Sequence, residues 1–167
     1  MCGVTGFIDI RQNKKSYDSK KIIENMTDTL KSRGPDDKGI WIDKKNNIFF
    51  GHRRLSIIDL SHLGKQPMIS HNKRLVIIFN GEIYNFLDLK KDLLKENINF
   101  IGNSDTEVLI EAVSNWGIKK TLSKISGMFS FVIWDKKKKN LYLARDRLGI
   151  KPLYYSFFNG IFFFGSQ

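Results

Sequence analysis

Apolar residues come in short runs toward both ends of the chain and at helical spacing in between. Val4 to Ile10 is a compact apolar run of strand length. From Ser19 to Lys31, the residues Ile22, Ile23, Met26 and Leu30 form one apolar stripe, which predicts a helix. Ser32-Arg33-Gly34-Pro35 stops it, because Gly and Pro end helices. Gly39 to Asp43 and Ile48 to Arg54 read as strands around a Lys44-Lys45-Asn46-Asn47 turn. Leu75 to Phe79 has the composition of a buried strand and ends at Asn80-Gly81.

A second helix is predicted over Phe86 to Glu96, with Phe86, Leu89, Leu93 and Leu94 on one face. A third opens at Ser104-Asp105-Thr106-Glu107, a capping-box pattern, and buries Val108, Leu109, Ala112, Val113 and Trp116. Two hairpins follow: Met128 to Asp135 with Asn140 to Arg145, and Leu153 to Phe157 with Ile161 to Phe164 around Asn159-Gly160. Strands at both ends with helices between predict layered sheets covered by helices.

The chain has 167 residues, enough for one domain with a real core, and 13 Phe to fill it. The net charge of +11 raises the question of nucleic-acid binding. The excess is mostly lysine, scattered over Lys14-Lys15, Lys20-Lys21, Lys90-Lys91, Lys119-Lys120 and Lys136 to Lys139. The last run separates two apolar segments and reads as a solvated hairpin turn. The expectation is no nucleic acid. No apolar stretch approaches the roughly 20 residues that span a bilayer, and no secretory leader is visible. One cysteine excludes an internal disulfide framework and suits a reducing compartment. A cytoplasmic protein without membrane contact is expected.

That cysteine is Cys2, directly behind Met1. With Met1 removed, one residue would carry a thiol of ordinary pKa about 8.5 and an α-amine of about 7.7–8.0. The amine could then act as general base for the thiol. On position alone Cys2 could equally be a small hydrophobe in the first strand. In Gly51-His52-Arg53-Arg54, strand alternation leaves only one arginine facing a pocket, and Arg54 is the candidate fork for a carboxylate. Asn80-Gly81-Glu82 has two readings. It is an ordinary Asn-Gly hairpin turn, the stronger of the two locally, or a pair of oxyanion donors. Ser104-Asp105 is explained by helix capping, or else Asp105 binds an ammonium.

Taken in order, Met1-Cys2-Gly3-Val4, Arg33-Gly34-Pro35-Asp36, Arg54-Leu55-Ser56-Ile57-Ile58-Asp59, Phe79-Asn80-Gly81-Glu82-Ile83-Tyr84-Asn85, Ser104-Asp105-Thr106-Glu107 and Arg145-Asp146-Arg147-Leu148-Gly149-Ile150-Lys151-Pro152-Leu153-Tyr154-Tyr155 closely resemble the glutaminase domain of glutamine-dependent asparagine synthetase, a class II glutamine amidotransferase. The resemblance runs from Cys2 to about Ser166. It implies an α+β fold, the N-terminal-nucleophile hydrolase four-layer αββα sandwich with two antiparallel sheets. It further implies that Cys2 attacks the carboxamide of L-glutamine, forms a thioester and releases ammonia and then glutamate. By the same resemblance Arg54 holds the α-carboxylate and Leu55, Ser56, Ile57 and Ile58 line the pocket. Asn80 and Gly81 form the oxyanion hole, and Glu82 and Asp105 bind the α-amino group.

No metal or cofactor is implied for this domain. ATP and Mg belong to a synthetase domain whose pyrophosphate loop has no counterpart in the 167 residues. The sequence thus reads as one glutaminase domain, residues 1–167, with the synthetase partner supplied in cis from a longer chain or in trans. A free-standing glutaminase, a non-catalytic glutamine-binding module and the glutaminase half of a cell-surface sugar amidotransferase are the alternatives. A homodimer is compatible with all of them. Arg145 to Tyr155 is expected to contribute an apolar and basic patch facing a partner.

Overall fold

In the computed structural model, residues 1–11 and 18–167 are described, and the Lys14-Lys15 pair falls outside them. The elements are β1 (Gly3–Asp9), α1 (Ser19–Thr29), β2 (Asp37–Asp43), β3 (Ile48–Arg54), β4 (Met68–Ile69), β5 (Leu75–Ile83), α2 (Phe86–Lys95), α3 (Asp105–Trp116), α4 (Ile118–Lys124), β6 (Gly127–Asp135), β7 (Asn140–Arg145), β8 (Tyr154–Phe158) and β9 (Ile161–Gly165). They build a five-stranded sheet in the order β2-β3-β1-β9-β8 and a four-stranded sheet in the order β4-β5-β6-β7. Every strand pairing is antiparallel.

The period-two alternation of a strand sorts the side chains into three apolar layers. On β5, Val76 and Ile78 face the other sheet together with Val132 and Trp134 of β6, and meet Val4, Ile48, Phe50 and Phe164 there. The intervening Leu75, Ile77 and Phe79 face α2 and α3 and pack on Leu89, Leu93, Leu109 and Val113. On the far side of the five-stranded sheet, Phe7, Phe49 and Phe163 receive Ile22, Ile23 and Met26 of α1. Helix, sheet, sheet, helices: the four-layer sandwich expected of an N-terminal-nucleophile hydrolase is the architecture found. Burying each of the large core side chains contributes roughly 1.5–3 kcal/mol.

Both Asn-Gly pairs were candidate turns, and they behave differently. Asn159 and Gly160 have φ of 48° and 74° and close the β8–β9 hairpin as expected. Asn80-Gly81 is no turn. β5 continues straight through it to Ile83, in unbroken register with β6, where Asn80 faces Ser130 and Gly81 faces Phe129. Nine paired residues outweigh the local turn preference of two. The Lys136–Lys139 run is the exposed turn of the β6–β7 hairpin. β4 and α4 carry no strong sequence signal. One has only two residues, and the other is a mostly polar seven-residue helix packed beside α3.

Candidate active site

The same alternation that sorts the core also places the polar residues. On β3, Ile48 and Phe50 face the inter-sheet layer, so His52 and Arg54 continue on that side, while Arg53 turns toward α1. There Arg53 donates to the Thr27 carbonyl at 3.3 Å and pairs with Asp28. On β5, Asn80 and Glu82 continue the side of Val76 and Ile78. Cys2 shares the parity of Val4. The polar ends of three strands thus converge where the apolar layer runs out, and the cavity there is lined by Cys2, Arg54, Leu55, Ile57, Ile58, Asn80, Gly81, Glu82 and Asp105.

His52 fastens the two sheets at this point. Its Nε2 lies 3.0 Å from the Phe79 carbonyl oxygen. Burial pushes its pKa down to about 4, against the raising effect of that carbonyl and with help from the Arg54 charge. The ring is therefore neutral at pH 7, with the proton on Nε2 where the carbonyl accepts it.

Cys2 is held from both sides. Its thiol donates to the Leu55 carbonyl at 3.6 Å, and the Leu55 amide donates to Sγ at 3.4 Å. The Cys2 carbonyl accepts from Arg33 Nε at 3.2 Å. Burial raises the thiol pKa, opposed by the Leu55 amide, the chain's amino terminus and Arg54, while Asp105 raises it further. The Arg33-Gly34-Pro35-Asp36 segment, which reads as a helix stop, also acts as a clamp. A Cβ at Gly34 would strike the Arg53–Arg54 backbone. Asp36 donates its amide to the Arg54 carbonyl at 3.0 Å and accepts the Ser56 amide at 2.7 Å. Ser56 is consequently tied to Asp36 and does not line the cavity, unlike its neighbours Leu55, Ile57 and Ile58.

Arg54 spends part of its guanidinium on the loop that follows it. Nη1 donates to the Ser61 carbonyl at 2.8 Å and Nη2 to the Asp59 carbonyl. Asp59 in turn accepts from the Ser61 amide and hydroxyl at 2.8 and 2.6 Å and from the Asn103 amide at 3.2 Å. Gly64 leaves room for this fork, since a Cβ there would meet Nη2 and push the guanidinium aside. Of the five guanidinium N–H groups, those not spent on the loop remain for an anion.

The outer edge of β5 supplies the next group. β4 pairs with β5 only at Val76 and Ile77, so beyond Ile77 the edge facing away from β6 is open. In an antiparallel ladder, alternate residues direct N–H and C=O to the same side. Phe79, Gly81 and Ile83 point outward. The Phe79 amide is taken by Gln66 Oε1 at 2.6 Å and the Ile83 amide by Asp105 Oδ2 at 3.0 Å. The amide of Gly81 lies between them, directed at the cavity. Any Cβ on Gly81 would strike the Met128 carbonyl across the strand pair. Beside it, Asn80 Nδ2 is buried without a hydrogen-bond partner among the described residues. An orphaned buried donor costs about 1–3 kcal/mol. Two unspent donors therefore belong to the cavity that Cys2 also lines.

Asp105 opens α3, after Ser104 caps the helix by accepting the Glu107 amide at 3.2 Å. The capping box is only half made. The Glu107 carboxylate takes the Ile101 and Gly102 amides, each at 2.8 Å, and meets His71 Nε2 at 2.9 Å rather than returning to Ser104. Burial raises the Asp105 pKa to about 6, with the Glu82 charge adding to it and the Ile83 and Thr106 amides opposing. A carboxyl whose pKa is higher folded than unfolded weakens the fold as pH rises through that interval, here from about 4 to about 6. Asp105→Asn is accordingly expected to stabilise the protein at pH 7.5 by up to ~3 kcal/mol, with the gain vanishing toward pH 4. Urea unfolding at the two pH values measures it, and an equal effect at both would refute the burial origin. Such a strained acid is what a cavity awaiting a cation would contain.

Sequence reasoning did not find Gln66, Thr106, Met128 or Lys151, which also line the cavity. Gln66 is isolated in the sequence, and only the β5 edge explains it. Among the described residues no cluster of three or more His, Cys, Asp or Glu could hold a metal ion, and no helix is long and apolar enough to cross a membrane.

The fold and this polar convergence define an N-terminal-nucleophile hydrolase sandwich. Solved structures sharing the fold include a glutamine phosphoribosylpyrophosphate amidotransferase from B. subtilis complexed with ADP and GMP. Its TM-score is 0.81 over 99% of this chain and 42% of that one, at 22% identity. The chain belongs to the glutamine amidotransferase domain family, matched over residues 1–167. Relatives include glutamine-hydrolyzing asparagine synthetase 3 of Bacillus subtilis, 41% identical over all of this chain and 26% of that protein. Asparagine synthetase 2 of the same organism is 42% identical over 93% of this chain and 20% of its own length. Amidase chry2 of Gibberella zeae is 38% identical over 93% and 24%. The chain thus spans about a quarter of the length of these relatives.

Proposed function

We propose that this chain is the glutaminase part of an asparagine synthetase-like enzyme, hydrolysing L-glutamine to L-glutamate and ammonia. The observation that carries the reading is the buried Asn80 Nδ2, without a partner among the described residues, beside the outward amide of Gly81 in one cavity with Cys2. Once Met1 is removed, the α-amine of Cys2 takes the thiol proton and Sγ attacks the carboxamide carbon. The oxyanion that forms accepts hydrogen bonds from Asn80 Nδ2 and the Gly81 amide. The ammonium returns its proton to the leaving nitrogen, ammonia departs and a thioester remains. Water, deprotonated by the same amine, adds to the thioester and expels the thiolate, giving glutamate.

The remaining N–H groups of Arg54 hold the α-carboxylate, against the wall of Leu55, Ile57 and Ile58. Glu82 and Asp105 hold the α-ammonium. A ligand ammonium returns Asp105 toward the ordinary carboxylate range and relieves the burial of its charge. The names of the relatives support a synthetase domain, in cis or in trans, as the destination of the ammonia. A lone free thiol supports a reducing, cytoplasmic setting.

The test joins mass and turnover. Protein whose intact mass lacks Met1 releases glutamate and ammonia in equal amounts from glutamine. Protein retaining Met1, or extended at the N-terminus, releases neither, because the base is then an amide nitrogen. Turnover by the Met1-retaining form would overturn the mechanism, and glutamine binding without release by the processed form would leave only a binding module.

A further inference from the structure

The Arg145-to-Tyr155 motif is not used by the chemistry above, yet it is one of the most tightly tied loops of the described structure. Asp146 accepts the amides of Phe129, Ile150 and Lys151 at 3.2, 2.9 and 3.0 Å. Arg145 Nε donates to the Lys151 carbonyl at 2.7 Å, and the same guanidinium reaches the Gly149 carbonyl. Gly149 has a φ of 67°, in the left-handed region that favours glycine. Lys151 is therefore gripped through both its amide and its carbonyl.

Its side chain is sent inward. Lys151 is 6% exposed and is the one buried lysine among the described residues. Lys151 lines the cavity, and its Nζ lies 3.1 Å from Met1 Sδ. A thioether is a weak acceptor, and no carboxylate of the described residues pairs with this ammonium. A buried cation without a counter-ion is costly, and removal of Met1 takes away the one side-chain acceptor that Nζ has among the described residues. The bonds from Met1 Sδ to the Cys2 nitrogen span at most about 6 Å, so Nζ stands within about 9 Å of the future α-amine.

On the proposed glutaminase reading, we infer that Lys151 is a positioning residue that keeps the α-amine of Cys2 unprotonated near neutral pH. The charges facing that amine are Arg33 after α1, Arg54 at the end of β3, Asp59 in the following loop, Glu82 on β5, Asp105 on α3 and Lys151 itself. Arg33 is engaged by the Cys2 carbonyl through Nε, with Nη2 buried and without a partner among the described residues, Arg54 by the Ser61 and Asp59 carbonyls, Asp59 by Ser61 and Asn103, and Asp105 by Ile83. Glu82, the remaining carboxylate, is assigned to the substrate ammonium. Lys151 is the cation without an oxygen partner. A positive charge at that range disfavours a second one on the amine, lowering its pKa by several tenths to about 1 unit.

The test compares wild type, Lys151→Met, Lys151→Gln and Lys151→Arg, all with Met1 removed. Two profiles against pH are recorded: kcat/KM for glutamine, and the rate of Cys2 alkylation by iodoacetamide without glutamine. In the Met and Gln variants both acid limbs are expected to move up by about 0.5–1 pH unit, whereas Lys151→Arg overlays wild type. Superimposable profiles in Met or Gln variants that turn over overturn the inference and leave the glutaminase reading intact. A shifted alkylation profile in a protein without turnover sustains the role of Lys151 and removes that reading. If the Met variant does not fold, the Gln and Arg variants decide the outcome. A lysine that merely supports its loop would change rates without moving either profile.

Discussion

Cys2→Ala is expected to abolish glutamate release, a loss of about 10⁴-fold or more in kcat, while leaving the melting temperature within about 3 °C of wild type. The small thermal effect follows from position. Cys2 lies just ahead of β1, and its thiol engages only the backbone of Leu55. Circular dichroism and a coupled glutamate assay separate the two quantities. Residual turnover above one part in about 10³ would transfer the nucleophile's role to another group. No second cysteine is present to take it.

Asn80→Ala is expected to lower kcat by about 10²–10³-fold with little change in KM, the behaviour of a donor that binds charge developing in the transition state. Its stability effect should be small or favourable, because Nδ2 has no partner among the described residues to lose. The opposite pattern, a raised KM at constant kcat, would make Asn80 a ground-state contact and shift the oxyanion's stabilisation to the Gly81 amide alone.

The legible part of the fold was the part with period. The run Leu75–Phe79 was legible as a buried strand, and alternation along Ile48–Arg54 foretold that Arg54 rather than Arg53 lines the cavity. The helical stripe of Ile22, Ile23 and Met26 foretold the α1 contact. What period cannot carry is pairing between distant segments. Asn80-Gly81 read as a turn because its partner Ser130-Phe129 is 50 residues away and invisible locally. Arg33-Gly34-Pro35-Asp36 read as a stop because its clamp on Cys2 and Ser56 spans 31 and 20 residues. The candidate site was legible through the family's ordered motifs. Gln66 and Lys151, which belong to it by geometry, announce themselves by no spacing. The motif holding Lys151 was assigned to a partner surface, and the side chains of Tyr154, Tyr155, Phe157 and Phe158 are indeed exposed, but its lysine points the other way.

The brevity of β4 decides what size of guest this sheet accepts. An unprotected edge invites whole peptides to add as a further strand, which needs a succession of vacant backbone groups. Here, past Ile77, the Phe79 and Ile83 amides are already engaged by side chains and only the Gly81 amide between them is left. A polypeptide finds too few rungs to climb, whereas one small carbonyl finds the single rung it needs. A β edge can thus stay open beside the Cys2 thiol while offering other chains no ladder to join.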